Sequence, residues 1–400
     1  MRTRLFTLVG VAALVLAALV FFTLVPMGAG QAPDGSEGAA NTPRTSWGEP
    51  DLQGIWTNEF DTPLQRPAQF AGKELFTDEE RAELDKQRAA LLGRDLRVER
   101  GSELDVAGAY NSVFMSVKRA GRRTSLIADP PDGRVPAMTP EAQARAAADR
   151  EFRLALLRST ETCKGLSTAC AGGTYDPAPS PRRADVLTRY NTALMNRHDG
   201  PEDGSLSDRC LPVGLPEFGT AYGGSFRRIV QTPGGIAIFY DVGQGQGFQR
   251  NIVMNGSPHL PSSVRQWFGD SRGRWEGETL VIDVTNFSPR SDFMGSRENL
   301  HLVERWTRTG PTTLEYAVTI DDPTVWTRSW TVREEFTRQD EQENRIYYEP
   351  RCHEGNYAFP TMLLSARLAE KAFAAGRGPH PATKDNATDF GGLEENPLGR

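Results

Sequence analysis

The chain has 400 residues, with 46 Lys and Arg against 52 Asp and Glu, a formal charge of −6. Loss of Arg2 and Arg4 with the leader would take this to −8. That balance argues against nucleic acid as a partner, because phosphate backbones are bound by clustered Lys and Arg.

Met1-Arg2-Thr3-Arg4 carries two positive charges, and the next 21 residues, Leu5–Val25, carry none. About 20 helical residues span a bilayer core, whereas the small residues of Gly30-Gln31-Ala32 suit a cleavage site. Residues 1–30 therefore read as a signal peptide or an N-terminal anchor in the cytoplasmic membrane. Either places the remainder of the chain in the periplasm or on the outer face of the cytoplasmic membrane. Residues 31–48 read as a flexible linker and 376–400 as a disordered tail, since both are dominated by Gly, Pro, Asn, Asp and other small or polar residues. Residues 49–375 are long enough for a single domain with one core.

Within that domain Gly54-Ile55-Trp56-Thr57 opens a first strand after the turn residues Pro50-Asp51. Thr77-Asp78-Glu79-Glu80 caps a helix over 77–92. Arg123–Ala128 is a short strand ended by Asp129-Pro130-Pro131-Asp132-Gly133. Thr139-Pro140-Glu141 starts a helix over 139–158, with an N-cap, a proline and a carboxylate in order. A further helix is expected over 184–196.

From Phe226 the pattern becomes strand after strand. Phe226–Thr232 and Ile236–Val242 flank Pro233-Gly234-Gly235, a tight hairpin signal. Phe248–Asn255, Gly273–Trp275, Thr279–Thr285, Leu300–Arg308, Thr313–Asp321, Val325–Arg338 and Arg345–Glu349 come next. In one of them Leu314, Tyr316, Val318 and Ile320 alternate with Glu315, Ala317, Thr319 and Asp321, so one face is buried and one is wet. A helix over 361–375, stopped by Gly376, closes the domain. The fold class is mostly β with peripheral helices: an antiparallel meander closed as a barrel or strongly curved sheet.

Four cysteines, Cys163, Cys170, Cys210 and Cys352, make an even set, as expected of disulfides in an oxidising compartment. Three pairings are possible. Cys163 with Cys170 would staple one loop, and Cys210 with Cys352 would tie the start of the β region to its end. The spacing fits no common zinc site, and no cofactor or metal is expected.

The Gly54-x-Trp56 opening is weakly similar to the start of lipocalin-like barrels. PDLQGIW, RTSLIADPPDGRVP, HLPSSVRQWFGDSRGRWEGETLVIDVTNF, ENLHLVERW and CHEGNY together resemble a family of uncharacterised exported bacterial proteins. The resemblance implies export and a compact domain, and carries over no catalytic residue.

The densest polar cluster runs from His259 to Glu278. In it Arg265 and Arg272 can fix the polar end of a ligand, Trp267 and Trp275 can wall it, and Asp270 can partner His259. His301 shares a strand face with Arg305, and Glu304 lies next to them in sequence. His353 and Tyr357 come after Cys352. Two chemistries fit these residues. One is a cell-envelope protein holding a small apolar or amphipathic ligand in a barrel pocket. The other is a cofactor-independent lyase, hydratase or isomerase, with His259, His301 or His353 as acid or base and Asp270 or Glu304 as partner. An envelope interaction module is the third reading.

Overall fold

A computed structural model describes residues 43–92, 119–165, 170, 172–185, 196–206, 208–211, 214–218, 226–243, 246–339 and 357–383. Ten strands and four helices occur in these residues. In chain order they are β1 (Gly54–Thr57), α1 (Asp78–Leu92), β2 (Ile127–Asp129), α2 (Pro140–Leu157), α3 (Glu161–Lys164), β3 (Phe226–Thr232), β4 (Gly235–Gly243), β5 (Gln246–Val253), β6 (Asp270–Glu276), β7 (Thr279–Thr285), β8 (His301–Arg308), β9 (Thr313–Asp321), β10 (Trp330–Arg338) and α4 (Ala358–Ala374).

The sheet runs β1-β3-β4-β5-β6-β7-β8-β9-β10, and β1 also pairs with β10, so nine strands close into a barrel. β2 pairs with β10 outside that ring, at Thr331↔Asp129 and Val332↔Ile127. Closure depends on a strand of only four residues. Trp56 and Thr57 face Arg338 and Thr337 on one side, and Gly54 to Thr57 face Ile229 to Phe226 on the other. Side chains reinforce this seam. Gln231 accepts the Leu52 N–H (2.6 Å) and donates to the Pro50 carbonyl, and Arg308 donates to the Asp51 carbonyl.

The wall is antiparallel except at one joint. β5 and β6 are parallel and share a single register pair, Val253↔Arg272. The long segment between them is the cause, because a parallel step needs a crossover that a tight turn cannot make. Tight turns connect β3 to β4, β4 to β5, β6 to β7 and β8 to β9. At the tip of the β6–β7 hairpin Gly277 takes φ +62°, a conformation that favours glycine. Val325–Ser329, expected as strand, is a turn: Asp322 Oδ1 accepts from the backbone and hydroxyl of Thr324, and the strand starts only at Trp330.

Of the expected outer elements, α2 begins after Thr139, whose hydroxyl accepts the Ala142 N–H. The helix expected over 184–196 and the strand expected over Arg345–Glu349 fall mainly or wholly outside the described residues. The Cys163–Cys170 disulfide forms and is buried beside Leu154 and Leu157. Cys210 is disulfide-bonded, whereas Cys352, its expected partner, lies outside the described residues. Among the described residues no helix is long and apolar enough to cross a membrane; the Leu5–Val25 segment is not among them.

Alternation sends Ile238, Tyr240, Phe248, Ile252, Leu280, Ile282, Leu302, Trp306, Tyr316, Val318, Val332 and Phe336 into one buried core. Trp306 packs against Tyr316 with ring centroids 4.3 Å apart and the rings tilted by 39°. Charge is buried with them. Arg250 grips Glu304 through two hydrogen bonds of 2.8 and 3.0 Å, and both side chains are excluded from solvent. Tyr240 and Trp306 add hydrogen bonds to the pair. Burial works against the Arg250 charge, but Glu304 outweighs it and raises the guanidinium above its usual range. Burial likewise pushes the Tyr240 phenol up to about 12.

Removing one partner of a buried pair leaves an uncompensated charge, whereas apolar replacement of both does not. Glu304→Ala is therefore expected to cost about 3–5 kcal/mol in urea unfolding. Arg250→Met combined with Glu304→Leu is expected to recover most of it; equal loss in both variants would show that the pair is not the source.

Candidate functional site

The outer wall over β6, β7 and β8 gathers the residues singled out in the sequence. Register places Arg272 opposite Asp283 and Asp270 opposite Thr285. Outward parity then puts Asp270, Arg272 and Asp283 on one surface, with His301 at the start of β8. The crossover after β5 lays His259 across them. Its Nδ1 lies 2.9 Å from Asp270 Oδ2 and its Nε2 lies 2.9 Å from Asp283 Oδ1. His301 Nε2 lies 3.2 Å from both oxygens of the same Asp283 carboxylate. The result is a linear chain, Asp270–His259–Asp283–His301, in which Asp283 is shared by two imidazoles.

Each link has support behind it. Asp270 is clamped by both ends of the Arg272 guanidinium (2.9 and 3.0 Å) and by the Leu260 N–H (2.9 Å). Arg272 also donates to Ser257. The crossover is pinned again where Asn286 donates to the Leu260 carbonyl. Burial opposes ionisation of Asp270, but hydrogen bonds from Arg272, the Leu260 N–H and His259 outweigh it and hold the carboxyl below the usual carboxylate range. His259 thus uses both ring nitrogens, one toward each carboxylate. His301 differs: one nitrogen faces Asp283, and the side chain is 39% exposed. Among the described residues no group of three or more His, Cys, Asp or Glu side chains is arranged to hold a metal ion.

The same crossover builds a second feature. Trp267 and Phe268, with Leu206, Leu211, Arg209, Glu202 and Arg290, line an open groove of about 380 Å³. Gly269 comes next at φ +67°, and a Cβ there would stand 2.6 Å from the Thr285 carbonyl oxygen, so only glycine makes this bend. Phe268 stacks on Phe248 (4.3 Å), which stacks on Tyr240 (4.6 Å), an aromatic column running from the groove into the barrel core. The facing loop is folded by its own polar residues. Asp203 accepts the Asp199 and Gly200 N–H groups, and Ser205 and Asp208 cap each other.

The structure thus joins His259, His301, Asp270 and Arg272 in one cluster and sends the other candidates elsewhere. Glu304 is fully buried inside the barrel on Arg250 and cannot partner His301, because strand residues three apart point to opposite faces. Trp275 packs against the core rather than walling a pocket. Arg305 pairs with Glu276, and Arg265 donates to the Glu298 carbonyl, both at the surface. Tyr357 is 93% exposed. His353 lies outside the described residues. Trp267 does line a groove, but at the end of the barrel and not within it, where large side chains occupy the interior.

Sequence reasoning missed Asp283, whose only signal was a lone carboxylate at an outward position of Thr279-Leu280-Val281-Ile282-Asp283-Val284-Thr285. It also missed the groove residues Leu206, Arg209 and Leu211, from the segment before β3, and Arg290, from the β7–β8 connection, which irregular chain without periodicity brings to Trp267. No family model, no curated protein and no solved structure matches this chain.

The lowered Asp270 has a pH consequence. Its ionisation contributes stability above the unfolded carboxyl value of about 4, and that contribution is lost as pH falls through the lower folded value. Asp270→Asn is expected to lower stability at neutral pH and to flatten the acid limb below about pH 4. Unfolding midpoints across that range test this, and an unchanged limb would contradict it.

Proposed function

We propose that the chain is an exported envelope protein that binds a small, largely apolar ligand in the groove at the end of its barrel. The observation that carries the reading is the groove itself. Its volume of about 380 Å³ lies in the range of small-molecule sites. Its wall combines Trp267, Phe268, Leu206 and Leu211 with the guanidinium side chains Arg209 and Arg290 and the carboxylate of Glu202. Apolar side chains supply affinity through burial, and the arginines orient a polar or anionic end. Export is supported by the charged residues Arg2 and Arg4 followed by the uncharged run Leu5–Val25.

Two fluorescent probes test the groove. Anilinonaphthalene sulfonate, which is apolar with one negative charge, is expected to bind saturably to the folded chain, and neutral phenylnaphthylamine more weakly. Trp267→Ala is expected to weaken both about tenfold, the equivalent of about 1.4 kcal/mol. Arg290→Ala should affect only the sulfonate. Binding that ignores Trp267→Ala would remove the groove as the site.

A second reading, acid–base catalysis, is favoured by one contact: His301 meets Asp283 through a single nitrogen while its ring reaches solvent. A carboxylate on one imidazole nitrogen fixes the tautomer and leaves the other nitrogen to take a proton. Nitrogen-detected NMR is expected to find neutral His301 protonated on Nε2; protonation on Nδ1 would exclude that role.

A further inference from the structure

The hydrogen bonds that hold the histidine chain run on into the groove, and the residue that joins the two is Asn286, just past the end of β7. It is buried and takes φ +59°, a left-handed conformation that asparagine tolerates better than most residues. Its two ends hold two parts of the crossover. The side-chain amide donates to the Leu260 carbonyl (2.8 Å), next to His259, and the backbone carbonyl accepts the Gln266 N–H (2.9 Å), next to Trp267. The Gln266 carbonyl in turn accepts the Ser288 N–H (2.8 Å), and the Arg290 N–H donates to the Ser288 hydroxyl (3.2 Å). This bridge around Phe287 sets the aromatic wall of the groove, Trp267 and Phe268, against its Arg290. Residues 260–266 are all exposed, so hydrogen bonds rather than packing set the course of the chain up to Trp267.

We propose that His259 and Asn286 are positioning residues of the groove, holding Trp267 where a ligand with its apolar body on the indole keeps its anionic end on Arg290. This deepens the groove reading and rests on it. The path from Asp283 through His259, Leu260, Asn286 and Gln266 to Trp267 is unbroken. Each step is a covalent bond or a hydrogen bond of 2.9 Å or shorter. His259 is fixed at its far end by Asp270, which Arg272 clamps, and by Asp283, which His301 shares. Coupling of this kind is reciprocal, so a ligand that needs the aromatic wall in place also favours the His259 contacts that keep it there.

The test is binding of anilinonaphthalene sulfonate to the full chain, with urea unfolding to confirm that each variant folds. Asn286→Gly deletes the side-chain amide and leaves a residue at ease at φ +59°. His259→Phe keeps a ring and removes both carboxylate contacts. Each is expected to weaken binding about tenfold, and the double variant no more than either alone, because both act through one path. Thr139→Ala, which removes the cap of α2, reports lost stability alone and is expected to bind like the unaltered chain. Saturating sulfonate is expected to shift the His259 ring nitrogens in NMR, and to do so less in Asn286→Gly. If His259→Phe does not fold, Asn286→Gly and the NMR readout decide. Binding that needs Trp267 but ignores both variants would overturn the positioning role and leave the groove standing. Losses that multiply in the double variant, or equal weakening by Thr139→Ala, would also overturn it. Binding indifferent to Trp267→Ala would remove the groove and this role together.

Discussion

A closed barrel of nine strands encloses a space that its own inward side chains can fill, and that filling governs everything else in this molecule. Trp306, Tyr316, Phe336 and their neighbours occupy the interior, and the Arg250–Glu304 pair sits among them. A buried ion pair adds little net stability over an apolar substitute, since desolvation offsets most of the attraction. It does fix which strands face one another. Arg250 belongs to β5 and Glu304 to β8, so a register slip on either side would strand a charge in the core. With the inside so committed, chemistry is left to the outer wall and to the ends.

The outer wall uses the same alternation in reverse. Each strand that sends Leu, Ile or Trp inward sends its intervening residue outward. β6 and β7 thereby deliver Asp270, Arg272 and Asp283 to one surface without a loop to position them. Side chains on paired strands are held more rigidly than side chains on loops. Only His259 comes from irregular chain; Asp270 and Asp283 on its ring, Asp270 accepting the Leu260 N–H and Asn286 donating to the Leu260 carbonyl compensate for the absence of a strand beneath it.

Much of this is legible in the sequence, and the legible part has a common cause. Leu314, Tyr316, Val318 and Ile320 reveal β9 because period-two burial is a local property of the chain. Pro233-Gly234-Gly235 reveals its hairpin for the same reason. The features that sequence hides depend on partners far apart along the chain. Arg250 and Glu304 are separated by 54 residues, and nothing around either announces the other. Asp283 looks like an interruption of an apolar strand until His259 and His301 are placed beside it. The parity of Glu304 against His301 is visible in the sequence, and by itself it rules out their pairing. The parallel joint leaves one sign, the length of the segment between Val253 and Asp270.

That joint has a mechanical side. Where most neighbours in the wall pair along four to eight residues and even the β1–β10 closure has two register pairs, β5 and β6 meet at one, so backbone pairing contributes least there. The crossover spanning this gap is stitched to β6 and β7 through His259, the Leu260 backbone and Asn286. It acts as a buckle over the thinnest part of the shell. Groove and histidine chain therefore share one strap, and any change that loosens the strap alters both sites while parting the wall at its weakest seam.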